Sequence, residues 1–290
     1  MKSIALCLSM ALLAAPLASL AQTTTPNNYP TGSNPAPSRG AADQPVRAAK
    51  KAKKPATQIK PFSHVALGGG FSTMGGNMQA AINMNRHFNL RGTGNYFNYS
   101  INNISTNGFN IAGKANFATG GASLDYYPWA NHGFRISPGA QLYNQNQITA
   151  NAVVASGNSF TLNEVTYYSE AANPVAVNAN LGLNTNKKAA TLTMGWGNMI
   201  PRRGGHWSFP FELGAAFTGV PTVNVGLTGF ACTTKAYALS NDPTNCVNMA
   251  TNTTAQSNLN AQISTWKSDL DPAKVYPILS FGVTYSFRIR

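Results

Sequence analysis

From Val275 to Phe287 every second residue is apolar, Val275, Pro277, Leu279, Phe281, Val283, Tyr285 and Phe287. The residues between them, Tyr276, Ile278, Ser280, Gly282, Thr284 and Ser286, are mostly small or polar. A repeat of two places these sets on opposite faces of a β-strand. A half-buried strand of a soluble sheet carries the same pattern, so one segment alone does not choose its surroundings. The alternation recurs, however, in Val65–Phe71, Met78–Met84, Phe134–Leu142, Ala190–Trp196 and Trp207–Phe217. Charged residues make up only 10% of the chain, against about 25% in an ordinary soluble domain. Many strands with one face toward lipid and the other toward a polar interior account for both facts. Beyond the first twenty-odd residues there is no apolar run of the ~18 residues a membrane helix needs. The sequence therefore predicts an all-β fold, an eight-stranded antiparallel transmembrane β-barrel built as a meander.

Eight segments are expected to form it: His64–Ser72, Met78–Asn85, Phe88–Tyr99, Phe109–Trp129, Phe134–Gln147, Ala189–Gly197, Trp207–Thr218 and Tyr276–Phe287. In the fourth, the outward set changes from Ile111, Ala115 and Phe117 to Ala122, Leu124 and Tyr126, which predicts a β-bulge at Thr119-Gly120-Gly121. The seventh is expected to run on past Pro221 through Val223, Val225 and Leu227 and to project from the membrane. Residues 148–187 are rich in Asn, Ala and Ser and are read as a long loop. Residues 230–274 form a second one, with one short helix before the last strand, predicted over Thr253–Leu270 from the spacing of Leu259, Ile263, Trp266 and Leu270. Strand parity puts both loops outside the cell and both termini in the periplasm.

Residues 1–21 read as a secretory signal peptide. Residues 22–62 are rich in Pro, Ala and Lys and are expected to be a disordered periplasmic tether, leaving 63–290 for the barrel. The formal net charge is +13, much of it in that tether. Nucleic acid is not an expected partner of an exported chain. Lys50, Lys51, Lys53 and Lys54 point instead to contact with the cell wall or inner leaflet, and the excess charge to outer-membrane lipids and lipid A phosphates. Cys232 and Cys246 remain after signal removal, in an oxidising compartment where a disulfide is the default and two free thiols the alternative.

Tyr126, Tyr127, Trp129, Phe134, Trp207, Tyr285 and Phe287 are expected to form an aromatic girdle at a membrane–water boundary. Several of these residues sit in stretches that carry a family resemblance: Leu124-Asp125-Tyr126-Tyr127-Pro128-Trp129, Gly133-Phe134-Arg135-Ile136-Ser137-Pro138-Gly139, Gly195-Trp196-Gly197-Asn198, and Ser280-Phe281-Gly282-Val283-Thr284-Tyr285-Ser286-Phe287. They resemble bacterial outer-membrane barrel proteins of the small OmpA/OmpW-type class. The resemblance spans roughly residues 63–290 and implies a bacterial outer-membrane location. It also implies recognition of the C-terminal strand by the barrel-assembly machinery, although Arg288-Ile289-Arg290 follow the terminal aromatic.

Inward phases hold few charges: Arg91, Lys114, Asp125, Arg135 and Glu212. Arg91, Asp125, Arg135 and Glu212 all fall near the periplasmic end, predicting a buried ionic cluster in the lumen, either a plug that orders the barrel or a gate or ligand site. His206, Ser208 and Glu212 supply the residue types of a hydrolytic set, but Ser and Glu are too close in sequence. No HExxH, GxSxG or Cys/His metal spacing occurs. Enzymatic activity, cofactors and metals are therefore not expected. Eight strands leave little room for an open pore. The expected role is envelope integrity or limited passage of small molecules. The alternative is an adhesin-like surface module acting through 148–187 and 230–274.

Overall fold

The alternating segments pair with one another around a closed circuit. The computed structural model describes residues 60–289 apart from 107, 130, 131, 203, 241 and 242. The signal peptide, nearly all of the 22–62 tether and Lys50, Lys51, Lys53 and Lys54 lie outside the described residues. In chain order come β1 (His64–Ser72), β2 (Gly75–Asn83), β3 (Phe88–Thr106), β4 (Phe109–Tyr126), β5 (Arg135–Asn144), β6 (Gln147–Val154), β7 (Ser159–Leu162) and β8 (Val165–Ser169). They are followed by β9 (Ala176–Gly182), β10 (Ala189–Trp196), β11 (Trp207–Ser208), β12 (Phe211–Phe217), β13 (Thr222–Thr228), β14 (Phe230–Cys232), helix α1 (Lys235–Leu239), β15 (Cys246–Asn248), helix α2 (Thr253–Asp269) and β16 (Val275–Arg288).

The expected count of eight is thus too low. The described residues hold sixteen strands, twelve in one sheet and four in another. Within the larger sheet, antiparallel pairing runs β1–β2–β3–β4–β5–β10–β12–β16 and returns from β16 to β1. A circuit of pairings leaves these strands no common free edge. The seam between β1 and β16 depends on glycine. A Cβ on Gly70 would run into the Phe281 carbonyl oxygen and the Gly282 Cα, so the two backbones approach where no side chain fits.

Alternation gives the circuit two unlike faces. Leu67, Phe71, Met78, Leu192 and Phe281 are exposed on one, whereas Gln79, Arg91, Asp125, Thr193 and Glu212 are buried on the other. The usual partition of a water-soluble domain is inverted.

The additional strands arise because β3 and β4 outrun their neighbours. β2 pairs with β3 only as far as Tyr96, but the β3–β4 hairpin continues to Thr106 and Phe109. β6 pairs with the free half of β4, β9 with β6, and β13 with β9. The region 148–187 is therefore not a loop but holds β6, β7, β8 and β9. β6 and β9 are hard to read because they alternate small apolar residues with Asn, a poor strand signal, whereas β7 and β8 carry Phe, Thr, Val and Tyr but are only four and five residues long. Likewise Val223, Val225 and Leu227 do not prolong β12. The chain turns after Phe217, with Gly219 at φ +81°, and β13 pairs with β9.

The β3–β4 register is unbroken from Phe88–Tyr126 to Ile101–Gly113, and that of β4–β6 from Phe109 to Asn116. Phe117 and Ile111 thus share a face with Asp125, correcting the outward setting expected for Ile111, Ala115 and Phe117. That face turns toward a packed core, where Phe117, Ile148, Val225, Ile263, Trp266 and Tyr276 lie against Leu181, Leu183 and Val223. Lys114, expected inward, stands exposed on the opposite face. The bulge near Gly120 belongs to the neighbouring strand: Gly120 faces Tyr143 and Gly121 faces Gln141, so Leu142 of β5 is the extra residue.

The smaller sheet, ordered β15–β14–β8–β7, caps a second core of Val154, Phe160, Tyr167, Val175, Leu227 and Leu259. Cys232 and Cys246 are directly opposed on β14 and β15 and are joined by a disulfide. Helix α2 starts where the Asn252 side chain accepts a hydrogen bond from the Ala255 N–H, satisfying one of the free donors of its first turn.

Candidate functional site: a lumen shut at two levels

Inward positions on β3, β4, β5 and β12 bring Arg91, Asp125, Arg135 and Glu212 together at one level. The Arg91 guanidinium grips Glu212 with two parallel hydrogen bonds, Nη1 to Oε2 at 2.6 Å and Nη2 to Oε1 at 2.8 Å. Its Nε donates to Asp125 Oδ1 at 3.0 Å. Arg135 approaches Glu212 Oε2 with Nη2 at 3.3 Å and donates from Nη1 to the Gly197 carbonyl at 2.6 Å. The Thr193 hydroxyl donates to Glu212 Oε1. All four ionised side chains are buried. Two cations face two anions, so the layer is neutral, which is what allows it to persist out of water.

Gly195 makes room for this layer. A Cβ there would lie 2.7 Å from Arg135 Cζ and 2.8 Å from the Phe211 carbonyl oxygen. Gly195→Ala is expected to displace Arg135 and to cost about 1–3 kcal/mol as an overpacking change. Denaturant titration of the detergent-solubilised protein checks this, and an unchanged midpoint counts against the close fit.

A second level lies toward the long hairpin. Met74, in the turn between β1 and β2, is only 2% exposed. Its sulfur reaches across the lumen to accept hydrogen bonds from Thr119 Oγ1 at 3.5 Å and Gln141 Nε2 at 3.3 Å. Between Met74 and the Arg91–Glu212 pair is a cavity of about 60 Å³, lined also by Gln79, Ser123, Gln141 and Thr193. Gln79 Oε1, Gln141 Oε1 and Ser123 Oγ are buried there without a protein partner. One water needs about 10–15 Å³ of such volume, so the cavity has the room and the polarity to hold several.

The end nearer Arg135 is filled as well. Tyr127, expected in the aromatic girdle, is instead fully buried. Its hydroxyl accepts from the Met199 N–H at 3.3 Å, and the Arg202 guanidinium sits 4.3 Å from its ring centre. Thr284 Oγ1 donates to the Met199 carbonyl at 3.1 Å, holding this stretch of the β10–β11 connection under the circuit. Tyr127 is turned inward because the strand phase that exposes Tyr126 carries the next residue to the lumen side.

The other expected girdle residues lie on or near the outer surface. Tyr126, Trp129, Trp207 and Tyr285 are exposed, whereas Phe134 and Phe287 are half-buried. Ring contacts link Trp129 to Phe134 at 6.0 Å, Phe134 to Trp196 at 5.5 Å and Trp207 to Tyr285 at 4.9 Å. His206 Nδ1 lies 2.8 Å from the Ser286 carbonyl, while Glu212 is engaged by Arg91 and Arg135, so the two share no contact. Sequence reasoning missed Met74. Its signal was an isolated apolar side chain in a turn otherwise made of Thr, Gly and Asn.

No protein-family model matches this chain, and no curated protein does. Among solved structures it is similar to CarO2 of Acinetobacter baumannii, at 18% identity and a TM-score of 0.51, over 79% of this chain and 100% of that one. It is also similar to CarO of Acinetobacter baumannii, at 21% identity and a TM-score of 0.47, over 79% of this chain and 99% of that one. At such identities the likeness to CarO2 speaks for fold alone: the chain is built as an antiparallel β-barrel.

Proposed function

We propose that this chain is an integral protein of the bacterial outer membrane, crossing it with the eight strands of the closed circuit and admitting small molecules slowly or not at all. One observation carries the proposal: the circuit exposes Leu67, Phe71, Met78 and Phe281 while burying Arg91, Asp125, Arg135 and Glu212. Only a hydrocarbon exterior makes that arrangement favourable. The likeness in fold to CarO2 supports it. In this reading both termini are periplasmic and the long β3–β4 hairpin stands outside the cell. A structural role in the envelope follows from a lumen filled by paired charges, and the OmpA/OmpW-type resemblance agrees with it.

Liposomes loaded with a small solute test the state of the lumen. The wild type is expected to leak slowly. Arg91→Ala/Glu212→Ala, which removes one ion pair and leaves Arg135 with Asp125, is expected to raise uptake about tenfold or more by clearing the narrow layer. Wild-type uptake as fast as that of the double variant would sink the closed-lumen reading.

A surface-binding role is the second reading. It is favoured by one feature: 148–187 and 230–274, instead of hanging free, pack into an ordered body of two sheets and α2 beyond the circuit.

A further inference from the structure

The hydrogen bonds around the cavity above the Arg91–Glu212 pair converge on one atom. Gln79 Nε2 donates to Asn77 Oδ1, Asn77 Nδ2 to Asn95 Oδ1, and Asn95 Nδ2 to Thr119 Oγ1. The Thr119 hydroxyl continues the chain to the Met74 sulfur at 3.5 Å, and Gln141 Nε2 reaches the same sulfur from β5 at 3.3 Å. Successive bonds pointing one way polarise one another, which strengthens the last donor in the chain. The Met74 N–H donates to Ser72 Oγ at 3.1 Å and helps to fix the residue over these donors.

A thioether sulfur is a weak acceptor, so two good donors aimed at one are poorly matched. Among the described residues no other methionine sulfur accepts a hydrogen bond. Met249, fully buried, lies instead in the apolar core of Phe160, Tyr167 and Leu259. An oxygen atom on the Met74 sulfur would satisfy the two donors in full. A sulfoxide supplies that oxygen and turns a flexible apolar side chain into a polar one. Met74 is only 2% exposed, so a reagent must come through the cavity. That cavity, about 60 Å³ with Gln79 Oε1, Gln141 Oε1 and Ser123 Oγ unpartnered, has room for the added atom. It also suits a small hydroxylic reagent, and hydrogen peroxide fits where waters do.

We propose that Met74 is a site of modification by peroxide, and that its sulfoxide locks the outer closure of the lumen. The sulfur lone pair takes one oxygen of hydrogen peroxide. An S–O bond forms, the O–O bond breaks, and the departing hydroxide collects the proton left on the transferred oxygen, giving sulfoxide and water. The sulfur is oxidised and the peroxide is reduced. Thr119 and Gln141 then hold the new oxygen where they held the sulfur, and the side chain leaves its seat less often. The modification stands apart from the membrane assignment, whereas its effect on passage rests on the closed-lumen reading.

Peptide mapping by mass spectrometry, on the full chain in detergent after mild hydrogen peroxide, tests the modification. Met74 is expected to gain one oxygen about tenfold faster than Met199 and Met249, both of which are fully buried. Liposome uptake by Arg91→Ala/Glu212→Ala, in which the lower layer is cleared, tests the effect on passage. Peroxide should lower that uptake about tenfold, the yield of one or two net hydrogen bonds. Adding Met74→Leu, a change of nearly constant volume, should leave uptake the same before and after peroxide. Unchanged heat-modifiable gel mobility shows that each treated protein is still folded. The proposal is overturned if Met74 is oxidised no faster than Met199 and Met249, or if its oxidation leaves uptake by Arg91→Ala/Glu212→Ala unchanged or raises it. A double variant that admits no solute before peroxide would sink the passage reading alone, and oxygen found at Met74 would still support the site.

Discussion

Glu212→Ala is expected to destabilise the barrel by about 3–5 kcal/mol, the largest effect of any single substitution in the lumen. Glu212 accepts from Arg91, Arg135 and Thr193. Removing its carboxylate leaves two buried guanidinium groups facing only Asp125, whose Oδ1 is 3.0 Å from Arg91 Nε and 4.0 Å from Arg135 Nε. The cost is that of an unpaired buried charge, not of the lost contacts themselves. The companion variant separates these ideas. Arg91→Met/Glu212→Met removes one charge of each sign and roughly keeps the volume, so it should recover most of the lost stability or exceed the wild type. Denaturant midpoints in detergent, read from the shift in heat-modifiable gel mobility, measure both. A double variant as unstable as the single one would show that packing, and not charge balance, holds this level of the lumen together.

Cys232→Ser/Cys246→Ser is expected to act elsewhere. The bond closes a loop whose ends are 14 residues apart, and cross-links of this size contribute about 3 kcal/mol through the entropy of the opened chain. β14 and β15 pair only with each other and with β8, outside the closed circuit. The loss should therefore appear as local opening. Limited proteolysis between residues 230 and 250 should quicken on the order of a hundredfold, while the gel mobility of the barrel stays unchanged. Global unfolding of the serine variant would mean that the outer body and the circuit fold as one unit.

The parts of the fold visible in the sequence were those where alternation sets large apolar residues against small polar ones. In β16, Phe281, Val283 and Tyr285 stand against Gly282, Thr284 and Ser286, and the contrast leaves no doubt about period. The circuit charges were visible for the same reason, since Arg91, Asp125, Arg135 and Glu212 interrupt runs of neutral residues on a definite phase. β6 and β9 gave no such contrast. One of their faces is sheltered by α2 and needs only Ala, Val and Leu, and the other carries Asn, so both faces look weakly polar. In β13 the alternation of Val223, Val225 and Leu227 was visible but its pairing with β9 was not. Tyr127 was misplaced because an aromatic cluster near a turn suggests an interface, whereas its hydroxyl meets the Met199 N–H inside the lumen. Met74 was passed over because nothing local tells a turn residue that its side chain will cross to β4 and β5.

Thr73 has a consequence for how the upper closure can give way. Four hydrogen bonds moor it to β16: its N–H to Leu279 O, its hydroxyl to Pro277 O, the Leu279 N–H to that hydroxyl, and the Tyr276 phenol to the Thr73 carbonyl. The turn therefore cannot lift like a flap, and Met74 can clear the passage only by spinning about its own side-chain bonds. Such spins are far quicker than the microsecond-to-millisecond swing of a hinged lid. An electrical recording should accordingly show this end of the barrel as broadband noise, without discrete dwell times, and leave the slower barrier to the charges beneath.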